Sequence, residues 1–270
     1  MAQPLTDSIL ALTRYANETT GASDTTLSDA VETLVEGYGQ GGGGFSVEDY
    51  LNHRMAGSAT YTGSDILNVT LQGQTGITEL NFPNAGTFAS LPNYAFSGIT
   101  SLTAFSAPKA TRITSSMLAN NTAMTSVDLS GLTDTGTNLF LNCSALSVLV
   151  LPKVQTIYSQ TCRGCSNLQK LDVLATIGFT NQNNMNGCTK LTDLIIRNTS
   201  VCTLANINNF TGTPFASGGT GGKLYVPQAL ISSYESATNW STILGYANNQ
   251  ILPIEGSQYE HYYADGTPIE

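Results

Sequence analysis

Charged side chains are scarce in this sequence, and positively charged ones are the scarcest. Of its 270 residues 11% are charged, with 10 Lys and Arg against 19 Asp and Glu, which gives a formal net charge of −9. A nucleic acid binds to basic stripes that displace its counterions, so the composition predicts no nucleic-acid partner. The acidic balance also disfavours an anionic membrane surface. No apolar run approaches the ~18 residues of a membrane helix, and we expect no membrane insertion.

Side chains that carry out catalysis are equally rare. The two histidines, His53 and His261, lie far apart, and neither belongs to a metal-binding or nucleophile motif. The Gly-rich stretch at residues 37–44 lacks the Lys that a phosphate-binding loop requires. The sequence therefore predicts a protein that is not an enzyme and that has no catalytic residues, metal or cofactor.

Two short helices are predicted near the N-terminus, at residues 5–18 and 26–38. The second has an apolar face with helical spacing, which includes Leu27, Val31, Leu34, Val35 and Tyr38. Two such helices bury their apolar faces poorly by themselves. They either pack on the main domain or form an oligomerisation or docking module. The flexible Gly-rich linker that follows favours the second interpretation.

The central region repeats itself with a period of about 22 residues. Each repeat contains a short stretch with alternating apolar residues, and the first of these residues are Leu80, Phe105, Val127, Leu149, Leu171, Leu194 and Leu224. One strand per short repeat is typical of a leucine-rich-repeat solenoid. The sequence thus predicts an α/β solenoid, right-handed, with about seven strand rungs and a C-terminal helical cap that contains Trp240.

The cysteines fall on columns of the same repeat. The pair Cys162 and Cys165 has the spacing of a redox or zinc motif. However, Cys162 occupies the position of Phe, Leu or Met in other repeats, and Cys165 lies in one column with Cys143 and Cys188. Both are therefore predicted to be small core residues, with no redox or metal chemistry.

The outward face of the strands is the predicted binding surface, because solenoids use this sheet for ligands. Alternation along the strands places these side chains outside the core. They are Glu79, Asn81, Asp128, Val148, Val150, Lys170, Asp172, Asp193, Ile195 and Tyr225. Apolar residues among them, on a surface that should be wet, indicate an interface. The alternative is that β-branched residues simply favour strands.

The chain divides into four predicted parts. Residues 1–38 are a helical attachment or oligomerisation module, 39–44 the linker and 45–254 the leucine-rich-repeat solenoid with its caps. Residues 255–270 form a C-terminal hairpin tail, with Asp265-Gly266 as its turn. The tyrosines of this tail either pack on the last coil or form a second contact surface.

Two segments of the solenoid resemble a known family. FLNCSALSVLVLP, at residues 140–152, closely resembles the repeat of the BspA-like leucine-rich-repeat proteins of bacteria. The closing segment KLYVPQALISSYESATNWSTI, which begins at Lys223, is similar to theirs. The resemblance covers roughly residues 58–254 and implies a fold more than a function.

A second resemblance concerns the N-terminal segment. SILALTRYANETTGASDTTLSDAVETL, which begins at Ser8, is similar to the helical start of proteins encoded in phages and prophages of Gram-positive gut bacteria. This resemblance implies a phage structural, fibre-like or decoration protein of the virion, assembled in the host cytoplasm. Its partners would be other virion proteins and a host cell-surface protein or glycan. The habit of virion fibres suggests a homo-oligomer, a trimer.

The alternative is a bacterial cell-surface or secreted BspA-like adhesin. Such a protein is expected to carry a secretory signal. Here no Lys or Arg precedes Arg14, and Asp7 interrupts the apolar residues, so we identify no signal peptide.

Overall fold

A computed structural model describes residues 57–60, 70–219, 221–245 and 250–269 of the chain. The predicted helices at residues 5–18 and 26–38 and the linker at 39–44 lie outside the described residues. The proposed oligomerisation residues lie outside them as well: Leu27, Val31, Leu34, Val35 and Tyr38.

The described residues form a solenoid whose principal strands all pair in parallel. One sheet contains β1 (Gly57–Thr60), β2 (Ile77–Asn81), β3 (Ala104–Ser106) and β4 (Ser126–Asp128). The other contains β5 (Val148–Leu151), β7 (Lys170–Val173), β9 (Asp193–Ile196), β11 (Lys223–Val226) and β12 (Gln250–Pro253). The seven predicted strands are confirmed as β2, β3, β4, β5, β7, β9 and β11. The strand β12 was not predicted from the sequence.

A smaller parallel sheet lies elsewhere on the coils. It consists of β6 (Thr156–Ile157), β8 (Gly178–Phe179) and β10 (Thr203–Leu204). A single bridge from Asp134 to Thr156 precedes it. Each of these coils therefore carries a second short strand in addition to its principal one.

One continuous apolar core fills the coils, as the repeat predicts. Three columns of residues precede the strands at nine, six and three positions before the first inward residue, and all of the following members are buried: Phe96, Leu118, Phe140, Cys162, Met185, Ile99, Asn121, Cys143, Cys165, Cys188, Leu102, Met124, Leu146, Leu168 and Leu191. Aromatic rings fill the core near each end. Phe82 and Phe105 lie 5.6 Å apart near the first end, and Phe210 and Trp240 lie 6.1 Å apart near the other. Because each coil buries the same positions against its neighbours, the stack is stabilised one interface at a time.

The column of Asn121 and the three cysteines also links each coil to the one before it. The Asn121 amide donates to the Phe96 carbonyl at 2.9 Å, and its Oδ1 accepts from the Ile99 amide at 2.8 Å. The Cys143 and Cys165 thiols donate to the equivalent carbonyls of Leu118 and Phe140. This position therefore favours a small side chain with a hydrogen-bond donor, which both Asn and Cys provide.

The spacing of the Cys162 and Cys165 pair follows from a turn that recurs on each coil. Gly164, between the two cysteines, adopts a left-handed conformation with φ of +78°. The equivalent residues of the other coils have the same conformation: Gly98, Asn120, Asn142, Gly187 and Gly212. Gly and Asn tolerate this conformation best, which explains why these residue types alternate in the column. The five cysteines of the chain are buried and free.

The predicted helical cap is present at the C-terminal end of the solenoid. Two short helices, α1 (Ile231–Ser236) and α2 (Trp240–Leu244), follow β11. The Trp240 indole is buried and donates to the Cys202 carbonyl at 2.7 Å, and its ring lies 5.3 Å from that of Tyr234. The cap thereby closes the end of the core with aromatic side chains whose polar atoms have partners.

Candidate binding face

The outward side chains of the two principal sheets form columns that run from coil to coil. In one column Asn81, Ser106 and Asp128 follow one another by register. The same column continues on the second sheet as Val150, Asp172, Ile195 and Tyr225. The predicted direction of these side chains is thus confirmed, but the two sheets differ in what lies above them.

The first sheet presents a polar surface to solvent. We call it the uncovered face, and it consists of Glu79, Asn81, Ala104, Ser106, Ser126 and Asp128. Glu79, Ser126 and Asp128 are exposed, and the other three are partly exposed. All of these side chains except Glu79 are short, so the surface is a shallow polar strip with a carboxylate towards each end.

The second sheet is covered by the C-terminal tail, residues 254–269. We call this surface the covered face, and it consists of Val148, Val150, Lys170, Asp172, Asp193, Ile195 and Tyr225. Ile254, Tyr259 and Ala264 of the tail form a small apolar cluster with Ile195 and Tyr225, and Val148 and Val150 pack against that cluster. The cluster is separate from the main core, which lies on the other side of the sheet.

A buried ion pair holds the tail over the middle of the covered face. Both Arg197 Nε and Nη2 donate to the Asp172 carboxylate at 2.7 Å. Arg197 also donates to the main-chain carbonyls of Tyr259 and Tyr262, at 2.9 and 3.0 Å. The Ala264 amide donates to Asp172 Oδ2 at 3.0 Å. Burial raises the pKa of the Asp172 carboxyl, while Arg197 and the Ala264 amide oppose that rise.

Tyr259 is the principal side-chain anchor of the tail. Only 2% of it is exposed, and its ring meets that of Tyr225 edge-on with centroids 4.7 Å apart. Its hydroxyl donates to Asp193 Oδ2 at 2.6 Å, and Lys170 Nζ lies 5.7 Å from the ring centroid. Burial, followed by the Asp193 carboxylate, raises the pKa of the Tyr259 hydroxyl. The hydroxyl therefore remains a donor at neutral pH.

The hairpin at the end of the tail turns back at Asp265 and Gly266. The Tyr263 amide donates to the Thr267 carbonyl at 2.8 Å, and the Thr267 amide donates to Asp265 Oδ1 at 2.9 Å. An antiparallel bridge joins Tyr262 to Pro268. The tail lies on the outward face of the second sheet. Of the two placements predicted for its tyrosines, packing on the last coil holds for Tyr259, whose ring meets that of Tyr225 on β11.

The expectation that the whole outward ladder faces solvent is wrong for the second sheet. Asp172 and Ile195 are fully buried and Tyr225 nearly so, because the tail lies over them. Val148, Val150, Lys170 and Asp193 are partly buried for the same reason. On the first sheet Glu79 and Asp128 are exposed and Asn81 is partly exposed, as expected.

Two residues of this region, Arg197 and Ala264, were not singled out from the sequence. The anchoring role of Tyr259 was not predicted either. Arg197 follows Asp172 by 25 residues, close to one repeat, and it comes directly after β9. The repeat could therefore have predicted that Arg197 lies on the coil that follows the coil of Asp172. The contacts of Ala264 and Tyr259 have no periodic spacing that could have indicated them.

The described residues offer no arrangement for metal chemistry or a membrane span. No group of three or more His, Cys, Asp and Glu side chains in the described ranges could hold a metal ion. In the same part of the chain no helix is long and apolar enough to span a bilayer. What the first sheet does provide is a row of mostly polar side chains at the spacing of neighbouring strands.

A comparison with known protein families gives a match over the repeats. The family described as BspA type leucine rich repeat region matches residues 65–209 in six copies, which is more than half of the 270 residues. No curated protein matches the chain.

Proposed function

Because the chain belongs to the BspA-type leucine-rich-repeat family, we propose that it is a non-enzymatic binding protein and that the uncovered face is its recognition surface. The observation that carries this proposal is the difference between the two halves of the ladder. The chain's own tail occupies the covered face, whereas Glu79, Ser126 and Asp128 are exposed.

The chemistry of the uncovered face suits a polar partner. Its hydroxyl and amide groups both donate and accept hydrogen bonds, and its carboxylates accept them. Short side chains such as Ser106 and Ser126 lose little conformational entropy when a partner covers them. The strands beneath belong to a stacked core, so the polar groups are already in position before binding. We propose a host cell-surface protein or glycan as the partner.

We further propose that the protein is a structural, fibre-like or decoration component of a phage particle. Support comes from the resemblance of the N-terminal segment, by which residues 1–38 would attach the chain to other virion proteins as a homo-oligomer, a trimer. The alternative proposal is a BspA-like adhesin at the bacterial cell surface. Mass spectrometry of purified particles and of cell-surface fractions separates the two locations. Light scattering of the full chain and of residues 45–270 tests whether the first 38 residues assemble it.

Reversing the charges at both ends of the uncovered face tests the recognition surface. We expect the double variant Glu79→Lys with Asp128→Lys to bind to host cells at least about tenfold more weakly, since two polar contacts of ~1 kcal/mol each are lost and the new charges repel a matched partner. Retention of the labelled protein on cells provides the measurement.

The matched control is Glu235→Lys, an exposed carboxylate on α1 at the capped end. It changes the net charge in the same direction but lies away from the ladder, so cell binding should stay at the wild-type level. Wild-type binding by a folded double variant would show that the uncovered face is not the recognition surface.

A further inference from the structure

Three hydrogen bonds between the covered face and the tail involve main-chain groups that any peptide carries. Arg197 binds two main-chain carbonyls, those of Tyr259 and Tyr262. Asp172 accepts from one main-chain amide, that of Ala264. The ion pair between Arg197 and Asp172 thus presents two donors and an acceptor to the backbone of the segment above it. Such contacts fix the position of a peptide without reading its sequence.

Beyond Ile254, two side chains of the tail are buried against the covered face, and a third, Tyr263, stacks on Arg197 with 5.0 Å between guanidinium and ring centroid. Tyr259 enters the slot made by Tyr225, Lys170 and Asp193, and its hydroxyl is hydrogen-bonded there. Ala264, five residues later, is buried in the same cluster. The residues between them, such as Glu260, His261 and Tyr262, are exposed. The buried positions of the tail beyond Ile254 are therefore a tyrosine and, five positions later, a small residue.

The tail is packed as an addition to the solenoid. Its apolar contacts belong to the small outer cluster, while the strands beneath are stabilised by the main core. Lifting the tail would expose Val148, Val150 and Ile195 as an apolar shelf beside the ion pair, without opening that core. An apolar shelf flanked by convergent polar groups is typical of a binding site.

We propose that the covered face is a second peptide-binding site, and that the tail is its built-in occupant. Its ligand class is an extended peptide segment of a partner protein with the pattern Tyr-x-x-x-x-Ala or another small residue in the last position. The tail masks the site until such a segment displaces it. This site is distinct from the uncovered face, so the two proposals succeed or fail separately.

The test uses a fluorescent synthetic peptide of residues 255–270 and the full-length chain. A tethered tail competes at an effective concentration of roughly millimolar, so the wild-type chain should bind the peptide weakly. Tyr259→Ala removes the anchor of the tethered tail and leaves the covered face intact. We expect the peptide to bind to this variant at least about tenfold more tightly than to the wild type, measured by fluorescence anisotropy.

Two controls decide whether the slot is specific. Tyr262→Ala changes an exposed tyrosine of the same tail, and we expect its peptide affinity to equal that of the wild type. A peptide in which the residue equivalent to Tyr259 is alanine should not bind to the Tyr259→Ala chain. Absence of wild-type peptide binding by a folded Tyr259→Ala chain, or equal binding of both peptides, would overturn the proposal.

Hydrogen exchange of the unmodified chain provides a second measurement that requires no variant. If the tail lifts as a unit, the Ala264 amide should exchange at least about a hundredfold faster than amides of β9, whose exchange requires the core to open. Equal exchange of the two would mean that the tail is a fixed part of the solenoid, and the proposal would be wrong.

Discussion

The two principal sheets have the same parallel strand pairing but different outward side chains. On β2, β3 and β4 the column contains Asn81, Ser106 and Asp128, and these side chains reach solvent. On β5 and β9 the same column contains Val150 and Ile195, and the tail lies over them. The inward residues of the strands, such as Phe105 and Leu149, are in contrast apolar in both halves. The outward residues are therefore polar where the strands face water and partly apolar where the tail covers them. The inward residues are apolar throughout because they face the core.

This difference has an energetic meaning. A polar side chain on the uncovered face is exposed to water, as is the bond that Asp128 Oδ1 accepts from the Ser130 amide at 3.2 Å, so its removal costs little. A polar side chain on the covered face, such as Asp172, is fully buried and depends on its partners. Equivalent substitutions in the two halves should therefore have unequal effects, which three matched pairs can measure.

The largest difference is expected between Asp172→Ala and Asp128→Ala, two aspartates of one column. Removal of Asp172 leaves Arg197 largely buried without its carboxylate, and we expect unfolding to require about 3 kcal/mol less free energy. Removal of the exposed Asp128 should change that value by no more than about 0.5 kcal/mol. Urea denaturation followed by fluorescence of Trp240, the only tryptophan, measures both. Equal effects of the two substitutions would contradict the distinction between the halves.

The second pair is Val150→Asp and Ser106→Asp. An aspartate at 150 would be placed under the tail without a partner, so we expect a loss of about 2 kcal/mol, limited by the ability of the tail to lift away. At 106 the new carboxylate reaches water, and the change should stay within about 0.5 kcal/mol. Limited chymotrypsin digestion at the tail tyrosines detects lifting. A tail that remains as resistant as in the wild type after Val150→Asp would disprove this account.

The smallest difference is expected between Tyr259→Phe and Tyr262→Phe. The first removes the 2.6 Å hydrogen bond to Asp193, and hydrogen bonds to charged groups contribute about 1.5 kcal/mol or more. The second changes a side chain that is half exposed, with an expected effect near zero. The thermal midpoint should fall only for Tyr259→Phe. A fall of the same size for both would indicate that the hydroxyl of Tyr259 contributes nothing particular.

The solenoid was predictable because its constraint is local and periodic. Leu149, Leu171 and their counterparts recur once per coil, and each coil buries them against the next. The same periodicity correctly assigned Cys165 to the core despite its motif-like spacing from Cys162. The direction of the outward side chains followed from alternation along each strand.

The covered face was not predictable in the same way. The tail reaches Arg197, Asp193 and Asp172 across sequence separations of 62 to 92 residues, and no repeat relates those positions. The one indication in the sequence was the apolar character of Val148, Val150 and Ile195, from which we expected an interface with a partner. The sequence did not reveal that the partner in that interface is the tail of the same chain.

The donors of the Asn121 column have a consequence for how such a chain can change length in evolution. Each donor bonds to the coil that precedes it, and Asn121 and Cys143 meet equivalent carbonyls. Loss or duplication of one whole repeat before β5 would leave every donor with an acceptor and the tail untouched. The same event between β7 and β11 would shift Asp172, Asp193 and Tyr225 relative to the tail that binds them. Repeat number should therefore vary freely among descendants of this sequence in the first half, and remain constant in the second.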